Sequence, residues 1–380
     1  LRKSGGDLAS KMYTFTDPGG RRVSLRPEFT SSVVRAHLQG MSDNALPVRW
    51  SYVGPVFRYE TEETESRQFT QAGAELIGAS GPWADAEVLA TASQGVFQLG
   101  IRKCRLVIGH LGFLGSLLES VGISDRARVF LLNNVTALSR GPEGVREVRE
   151  KAAMLGLTSG NGAKQQTDSN ASSEEALALL DQYLGNTSAM IGVRTPQEIR
   201  ERFLRKQRTA AGDVGRFNAA LELLSEVAQV KGGPDDARDT IRQLKVPPEA
   251  MAELDSLFHT LDALSNYDLD AGVLLDFGLA RGIAYYTGLI FDLHDPTTTG
   301  GSLGGGGRYD GLVQALGGSG STPAIGFAWS LERIVDVLTT ATTSPAPWDV
   351  QASTVLVRPD EALAMPATLK EAARLRAQGR

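Results

Sequence analysis

The sequence has a single cysteine and no long apolar run. Among its 380 residues only Cys104 carries a thiol, so an internal disulfide framework and a multi-cysteine zinc site are both excluded. No stretch approaches the ~18 consecutive apolar residues of a membrane span, and we expect a cytoplasmic protein without a membrane partner. The chain also has no excess of positive charge. Its 39 Lys and Arg against 44 Asp and Glu give a net charge of −5, which disfavours a uniformly basic nucleic-acid binder.

Histidine is also scarce, and glycine is concentrated in one place. The four histidines lie far apart in the sequence, so we expect structural or exposed roles for them and no metal site. The 42 glycines cluster near residues 300–320 and are not periodic, which excludes a collagen-like repeat. The chain starts at Leu1 rather than Met and stops at Arg380 after a helix-like stretch. We interpret it as a fragment that lacks both natural ends.

The length and composition are typical of a globular protein of two or three domains. Residues 1–156 and 272–341 mix strand and helix patterns and are assigned to one domain. Between them, residues 157–271 begin with a Gly/Ser/Asn/Gln-rich linker and continue with helical spacing, which predicts an inserted helical module. Residues 348–380 begin a β–α unit, so we expect the truncated start of another α/β domain.

The first clear strand signal lies at residues 48–60, which are rich in aromatic and β-branched side chains. We predict one or two strands there, broken at Gly54-Pro55, and a partner strand at residues 67–78 after a polar loop. Because alternate residues of a strand share a face, this hairpin presents Arg58, Glu60, Gln71 and Glu75 together. Such a face suits a zwitterion or a nucleotide, but a solvated face with an ion pair is the simpler interpretation.

Further elements follow from spacing and turn residues. We predict a helix at 31–38 capped by Thr30, a strand at 285–293 and a helix at 328–338. The glycine-rich stretch before Arg308 allows close approach of a ligand. It contains Gly-x-Ser-x-Gly around Ser302, but no strand precedes it and no helix follows it directly, so a nucleophile elbow is not expected. It has no Gly-Lys-Ser/Thr, which excludes a Walker phosphate loop.

Taken in order, several segments resemble the histidyl-tRNA synthetase family of class II synthetases. The matching stretches are Met12–Thr30, Tyr52–Glu60, Arg67–Gln71, Glu75–Gly78, Ala280–Tyr286, Gly305–Gly311 and Pro323–Arg333. The resemblance implies an α+β fold, in which an antiparallel sheet is flanked by helices. It also implies a helical insertion and the start of a C-terminal α/β domain like the anticodon-binding domain.

The resemblance also implies roles for individual residues. The implied histidine-binding residues are Glu28, Thr30, Gln71, Glu75, Arg281, Tyr286 and Tyr309. The implied nucleotide-binding residues are Arg58, Glu60, Phe69 and Arg333. If the protein is a ligase, Arg58 and Arg281 are the catalytic residues, because guanidinium groups match phosphate oxygens. No permanently bound cofactor is implied, and a ligase would take ATP with Mg²⁺ as substrate.

Some positions depart from the synthetase pattern. Phe29 and Ala284 stand where the family usually has Gly and Asp, Thr70 replaces a His, and loop 61–66 carries three glutamates where a more basic loop is usual. The Gly-His-x-Gly stretch around His110 resembles the branch of regulatory subunits of ATP phosphoribosyltransferase.

We therefore expect first a non-catalytic regulatory subunit of histidine biosynthesis, a homodimer that partners the short catalytic transferase subunit. The alternative is a histidine–tRNA ligase that charges tRNA(His). A free-standing binding paralogue is the third hypothesis.

Overall fold

The computed structural model describes residues 8, 11–40, 45–59, 66–157, 214–244, 246–269, 271–283, 285–296, 301–341 and 365–377. The chain divides into two compact units, one made of Leu1–Leu117 with Val227–Arg380 and the other of Leu118–Glu226. The predicted boundaries of the helical insertion stay a prediction, because residues 158–213 lie outside the described ranges. The strand expected near residue 354 is also outside them.

The first unit is built on an eight-stranded sheet. Its strands are β3 (Val48–Phe57), β4 (Gln68–Ile77), β5 (Arg105–His110), β6 (Lys231–Gly232), β7 (Gly272–Asp276), β8 (Leu289–His294), β9 (Gly304–Arg308) and β10 (Ala324–Ser330). Their spatial order is β3-β4-β10-β9-β8-β5-β7-β6, and every neighbouring pair is antiparallel except β5 with β7. A separate two-stranded ribbon joins β1 (Thr14–Thr16) to β2 (Arg22–Ser24). The α+β class with a mostly antiparallel sheet is therefore confirmed.

Helices accompany the sheet in the first unit. They are α1 (Thr30–Leu38), α2 (Pro82–Gln98), α3 (Leu111–Ser120), α8 (Pro234–Gln243), α9 (Pro248–Leu264), α10 (Leu312–Ala315), α11 (Leu331–Ala341) and α12 (Met365–Ala377). Two helices, α3 and α7 (214–228), contain residues of both units, because the division falls within them. Helices α2 and α9 pack together and bury Leu89 and Val96 from one and Leu254 and Leu257 from the other. Each buried leucine contributes about 1.5–3 kcal/mol, so this pair anchors one side of the sheet. None of the described helices is both long and apolar enough to cross a membrane.

The second unit, by itself, is helical where it is described. It contains α4 (Asp125–Asn133), α5 (Val135–Leu138) and α6 (Pro142–Met154). Ser124 caps α4, since its hydroxyl accepts a hydrogen bond from the Ala127 amide at 3.3 Å. Phe130 lies against Phe217 of α7, with ring centroids 6.3 Å apart, and fixes these helices in one cluster.

The predicted hairpin forms, with one correction. Strand β3 is continuous through Gly54 and Pro55, so the expected break there is wrong. Proline is tolerated because β3 is the terminal strand of the sheet, where an amide donor is not required on the outer side. The register sets Tyr52 opposite Gly73 and Trp50 opposite Glu75, so these side chains share one face.

Two predicted elements at the other end of the chain are shifted. The strand expected from residue 285 begins only at Leu289, and the helix expected over 328–338 begins at Leu331 because β10 continues to Ser330. Strand β9 was missed, since four successive glycines carry almost no strand propensity. The glycines are required by the close approach of the neighbouring strand: a Cβ on Gly304 would lie 2.8 Å from the Trp329 Cα.

Candidate functional site

A pocket lies over the middle of the sheet, where β4, β10 and β9 are neighbours. It encloses about 340 Å³ including its open mouth. Its lining residues are Glu28, Thr30, Tyr52, Arg58, Gln71, Arg281, Ile283, Tyr285, Tyr286, Gly305, Tyr309, Gly326, Phe327 and Ala328. The pocket therefore brings together nearly all the predicted histidine-binding residues, from segments more than 200 positions apart. Glu75, the remaining one, lies 2% exposed and is hydrogen-bonded to three of the lining side chains.

Glu75 is held by three hydroxyl groups. Thr30 Oγ1 donates to Oε1 at 2.7 Å, Tyr52 Oη donates to Oε1 at 3.3 Å, and Tyr309 Oη donates to Oε2 at 2.6 Å. Each donor is neutral, so the carboxylate has hydrogen bonds but no counter-charge among these partners. Burial is the largest cause that raises the pKa of Glu75, to a net value of about 7. The three hydroxyl donors lower this pKa, and the negative charge of nearby Glu28 raises it. A cationic ligand would supply the missing charge.

Glu28 is the second buried carboxylate of the pocket. Its oxygens accept from the Ser31 amide at 3.3 and 3.1 Å, so it satisfies a free donor at the start of α1. The predicted cap by Thr30 is wrong: Thr30 lies inside α1 and makes no cap bond, because its hydroxyl donates to Glu75 instead. Glu28 on the lining, with Glu75 hydrogen-bonded to three other lining side chains, gives the negative surroundings that an ammonium group requires.

Gln71 supplies an acceptor that protein atoms leave unused. The side chain is 8% exposed, and its Oε1 atom is buried without a hydrogen-bond partner in the part of the chain that the structure describes. Such an atom costs about 1–3 kcal/mol unless a ligand or water satisfies it. Its place on the pocket lining makes a ligand donor the natural partner.

Three tyrosines form an aromatic wall. The Tyr285 ring lies edge-on to Tyr286 at 5.1 Å and to Tyr309 at 5.9 Å between centroids. Sequence reasoning predicted Tyr286 and Tyr309 but missed Tyr285. A strand that starts at residue 285 would set the two neighbouring tyrosines on opposite faces, whereas the strand begins at Leu289 and both tyrosines precede it and line the pocket. Tyr52, on the predicted hairpin face, was missed as well.

Glycines leave space on the sheet for the polar side chains of neighbouring strands. A Cβ on Gly73 would lie 2.6 Å from Tyr52 Oη, and one on Gly326 would overlap the Glu75 carboxylate. Strand positions beneath the pocket must therefore lack side chains. Within the glycine-rich segment, Gly305 lines the pocket, and Ser302 Oγ is hydrogen-bonded to backbone groups and to Asp292 Oδ1.

The arginines predicted for histidine or for the nucleotide lie in different places. Arg281 and Arg58 line the pocket; Arg58 Nε donates to the Pro27 carbonyl at 2.9 Å and its guanidinium lies 5.1 Å from the Phe69 ring centroid. Arg333, in the first turn of α11, lies beside Gly301, where a Cβ would overlap its guanidinium. Glu60 and Ala284 lie outside the described residues.

Phe29 does not line the pocket. Its ring stacks on Tyr52, with centroids 4.9 Å apart, and the Arg26 guanidinium lies 4.8 Å from the Phe29 ring centroid. The ring also covers Gly54, where a Cβ would lie 2.7 Å from Phe29 Cζ. Phe29 thus bears on the site by holding Tyr52, which donates to Glu75.

No group of three or more His, Cys, Asp or Glu side chains is placed to hold a metal ion among the residues described.

Comparisons with known proteins identify similar chains. The profile of the histidyl-tRNA synthetase family matches residues 1–184 and 189–334. The histidine–tRNA ligase of Pyrococcus abyssi is 30% identical over 338 residues, which are 88% of this chain and 64% of that protein. That of Thermococcus kodakarensis is 31% identical over 88% of this chain and 63% of its own length. The chain thus spans slightly less than two thirds of these relatives.

Solved structures confirm the fold alone. An ATP phosphoribosyltransferase regulatory subunit/histidyl-tRNA synthetase from Bacillus halodurans superposes with a TM-score of 0.57 at 20% identity, covering 87% of this chain and 69% of that one. A histidyl-tRNA synthetase from Nostoc sp. PCC 7120 gives 0.52 at 17% identity, covering 97% and 71%.

Proposed function

The chain belongs to the histidyl-tRNA synthetase family, and from that premise we propose that it forms the histidine-activating part of a histidine–tRNA ligase. One observation carries the proposal: a single pocket joins two buried carboxylates, an unsatisfied amide oxygen and two arginines. That combination matches an amino acid that reacts with a nucleotide phosphate.

Histidine binding follows from the charges of the pocket. Its α-ammonium group would bind Glu75 and Gln71 Oε1, with Glu28 adding negative potential. Burial raises the pKa of Glu75 to about 7. The positive charge of the ammonium would lower this pKa again, so that Glu75 would be ionised and paired with the ligand. The imidazole would lie against the aromatic wall of Tyr286 and Tyr309.

Activation would be an in-line displacement at phosphorus. An oxygen of the histidine carboxylate forms a bond to the α-phosphorus of ATP, the bond from that phosphorus to the bridging oxygen breaks, and pyrophosphate leaves. Arg281 and Arg58 would stabilise the charge that develops, through electrostatics and positioning. Arg333 would bind the distal phosphates.

Transfer would complete the ligase reaction. A ribose hydroxyl at the 3′ end of tRNA(His) attacks the carbonyl carbon of the mixed anhydride, the hydroxyl proton is lost, and AMP leaves. The tRNA contacts of this step are part of the proposal, because the chain spans only 64% of the Pyrococcus ligase.

The regulatory subunit, which the sequence reasoning placed first, becomes the second candidate. The curated relatives that match at about 30% identity carry the name histidine–tRNA ligase, which supports the alternative better. What favours the regulatory role is the likeness to the Bacillus halodurans protein, which is described both as a regulatory subunit and as a synthetase, together with Phe29 at a position where the family usually has Gly. In that role the same pocket would sense histidine and the short catalytic transferase subunit would be the partner.

Charging of tRNA tests the proposal. Full-length gene product, purified with no other protein, is incubated with labelled histidine, ATP, Mg²⁺ and a tRNA(His) transcript. The ligase predicts label in acid-precipitable tRNA, and loss of it with Glu75→Gln but not with Glu87→Gln, which changes a partly exposed carboxylate paired with Arg49. No charging by the unaltered protein, with histidine still bound, would favour the regulatory role.

A further inference from the structure

We propose that Asp292 is a positioning residue. Its carboxylate holds the Arg281 guanidinium above Gly305, in the orientation in which Arg281 lines the pocket. This inference rests on the proposed function, since it assigns the residue through which Arg281 would act. Sequence reasoning gave Asp292 no role.

Asp292 and Arg281 form an ion pair that is mostly buried. Arg281 Nη1 pairs with Asp292 Oδ1 and donates to the Phe291 carbonyl at 3.0 Å, so two successive residues of β8 hold the same nitrogen. The Asp292 side chain is 14% exposed and the Arg281 side chain 19% exposed. A pair so enclosed is screened less by solvent than a surface pair, and its geometry is correspondingly better fixed.

The carboxylate is itself oriented by neighbours. Ser302 Oγ lies 3.1 Å from Asp292 Oδ1, and also lies within hydrogen-bonding distance of the Leu293 and Gly304 carbonyls. His294 Nε2 lies 3.9 Å from Oδ2. The Ser302 contact is made at the oxygen that pairs with Arg281, so it acts on the same geometry.

The neighbouring strand leaves room for the pair. Gly305 is opposite Asp292 in the register of β8 and β9, and a Cβ there would lie 2.6 Å from Asp292 Oδ1 and overlap Arg281 Nη1. The guanidinium can therefore cross the sheet only over a glycine. The absence of a side chain at Gly305 therefore has a specific purpose, which is to admit the Arg281–Asp292 pair.

The anchored guanidinium still has a donor for a ligand. Arg281 Nε is buried and has no hydrogen-bond partner within the described ranges, and Arg281 lines the pocket beside Tyr286. Because Nη1 is held by β8, the remaining part of the group is fixed in direction. Asp292 thus determines which edge of the guanidinium meets the reacting phosphate or carboxylate.

The test separates positioning from a structural role. Histidine-dependent exchange of pyrophosphate into ATP is measured on full-length protein for Arg281→Ala, Asp292→Ala, Asp292→Asn and the double variant Arg281→Ala/Asp292→Ala. A misplaced group costs up to about 100-fold in rate, so we expect Asp292→Ala to lower kcat about tenfold to 100-fold and to change the KM for histidine less. Asp292→Asn, which keeps the shape, should lose less. Glu87→Gln, which takes a carboxylate from another arginine, should match the unaltered protein.

The double variant decides the matter. If Asp292 acts through Arg281, the double variant is no slower than Arg281→Ala alone. Fold-losses that multiply, or a full rate with Asp292→Ala in a protein that melts normally, would overturn the proposal. Absence of exchange in the unaltered protein would instead contradict the proposed function. The positioning claim is then decided by calorimetric histidine affinity, where it predicts that the double variant binds histidine no more weakly than Arg281→Ala alone. Weakening that adds in the double variant would overturn it.

Discussion

Tyr309 donates a hydrogen bond of 2.6 Å to Oε2 of Glu75, a residue 234 positions away in the sequence. The bond joins β4 to the turn after β9, across the intervening strand β10. Tyr309 is 1% exposed and belongs to the apolar cluster that contains Val34 and Ile77. The core of the first unit therefore fixes the carboxylate to which we assign the ligand ammonium.

The first prediction concerns histidine affinity. Glu75→Gln keeps the shape of the side chain and removes its negative charge, so the ammonium loses its ion partner. A hydrogen bond between charged groups contributes about 1.5–3 kcal/mol, which corresponds to a loss of affinity of about tenfold or more. Calorimetry with histidine checks this. Glu87→Gln is the matched control, and affinity unchanged by Glu75→Gln would remove Glu75 from the site.

The second prediction concerns stability and pH. Burial raises the pKa of Glu75 from 4.5 to about 7, so between these values the folded state binds more protons than the unfolded state. The ligand-free protein should therefore lose stability from this group as pH rises through that window, by about 3 kcal/mol in all. Urea unfolding at pH 4.5 and pH 8 should show this component in the unaltered protein and not in Glu75→Gln. Parallel pH curves for the two proteins would be the contrary result.

The third prediction concerns the titration of His110. Its Nδ1 accepts from the Phe113 amide at 2.9 Å, and burial lowers its pKa to about 4. Between about 4 and 6.5 the unfolded state binds the extra proton, so stability should fall as pH falls through this window. His110→Asn, whose oxygen can accept the same bond without titrating, should show a flatter pH dependence in urea unfolding. A slope equal to that of the unaltered protein would contradict the assignment.

The fourth prediction concerns the fit between Phe29 and Gly54. Gly54→Ala sets a methyl group 2.7 Å from Phe29 Cζ, so overpacking should cost about 1–3 kcal/mol. Phe29→Leu in the same chain should relieve much of that cost, which gives a negative coupling energy in a double-mutant cycle of urea unfolding. Additive losses would show that the ring moves aside freely.

The fifth prediction concerns a buried ion pair beside the site. Arg308 Nε donates to Asp85 Oδ1 at 2.9 Å and Nη1 donates to Asp310 Oδ1 at 2.9 Å, while Arg308 and Asp85 are 8% and 7% exposed. Asp85→Ala removes one of the two carboxylates that pair with the buried guanidinium. Because Asp310 remains as a partner, the loss of unfolding free energy should stay below the about 3–5 kcal/mol of an unpaired buried charge but exceed about 1 kcal/mol. Glu87→Gln, in an exposed pair, should cost less than about 1 kcal/mol. Equal effects would place Arg308 in contact with solvent.

The sequence predicted the hairpin face well, because alternation along β3 and β4 is a local rule that places Gln71 and Glu75 together. It failed where tertiary contacts override local preference. Strand β9 consists mostly of glycines whose need is set by neighbouring strands, and Thr30 turns from the helix cap to Glu75, a partner 45 positions away. Tyr285 was missed for a related reason, since the start of β8 is fixed by pairing with β5 and β9 rather than by its aromatic residues.

Histidine-dependent exchange of pyrophosphate into ATP, by the full-length gene product alone, tests the central claim most directly. The account predicts exchange that requires histidine, follows the ATP concentration and is lost in Arg281→Ala. No exchange, in a preparation that binds histidine by calorimetry, would contradict it. The pocket would then be a histidine sensor, and the short transferase subunit would be the partner to examine.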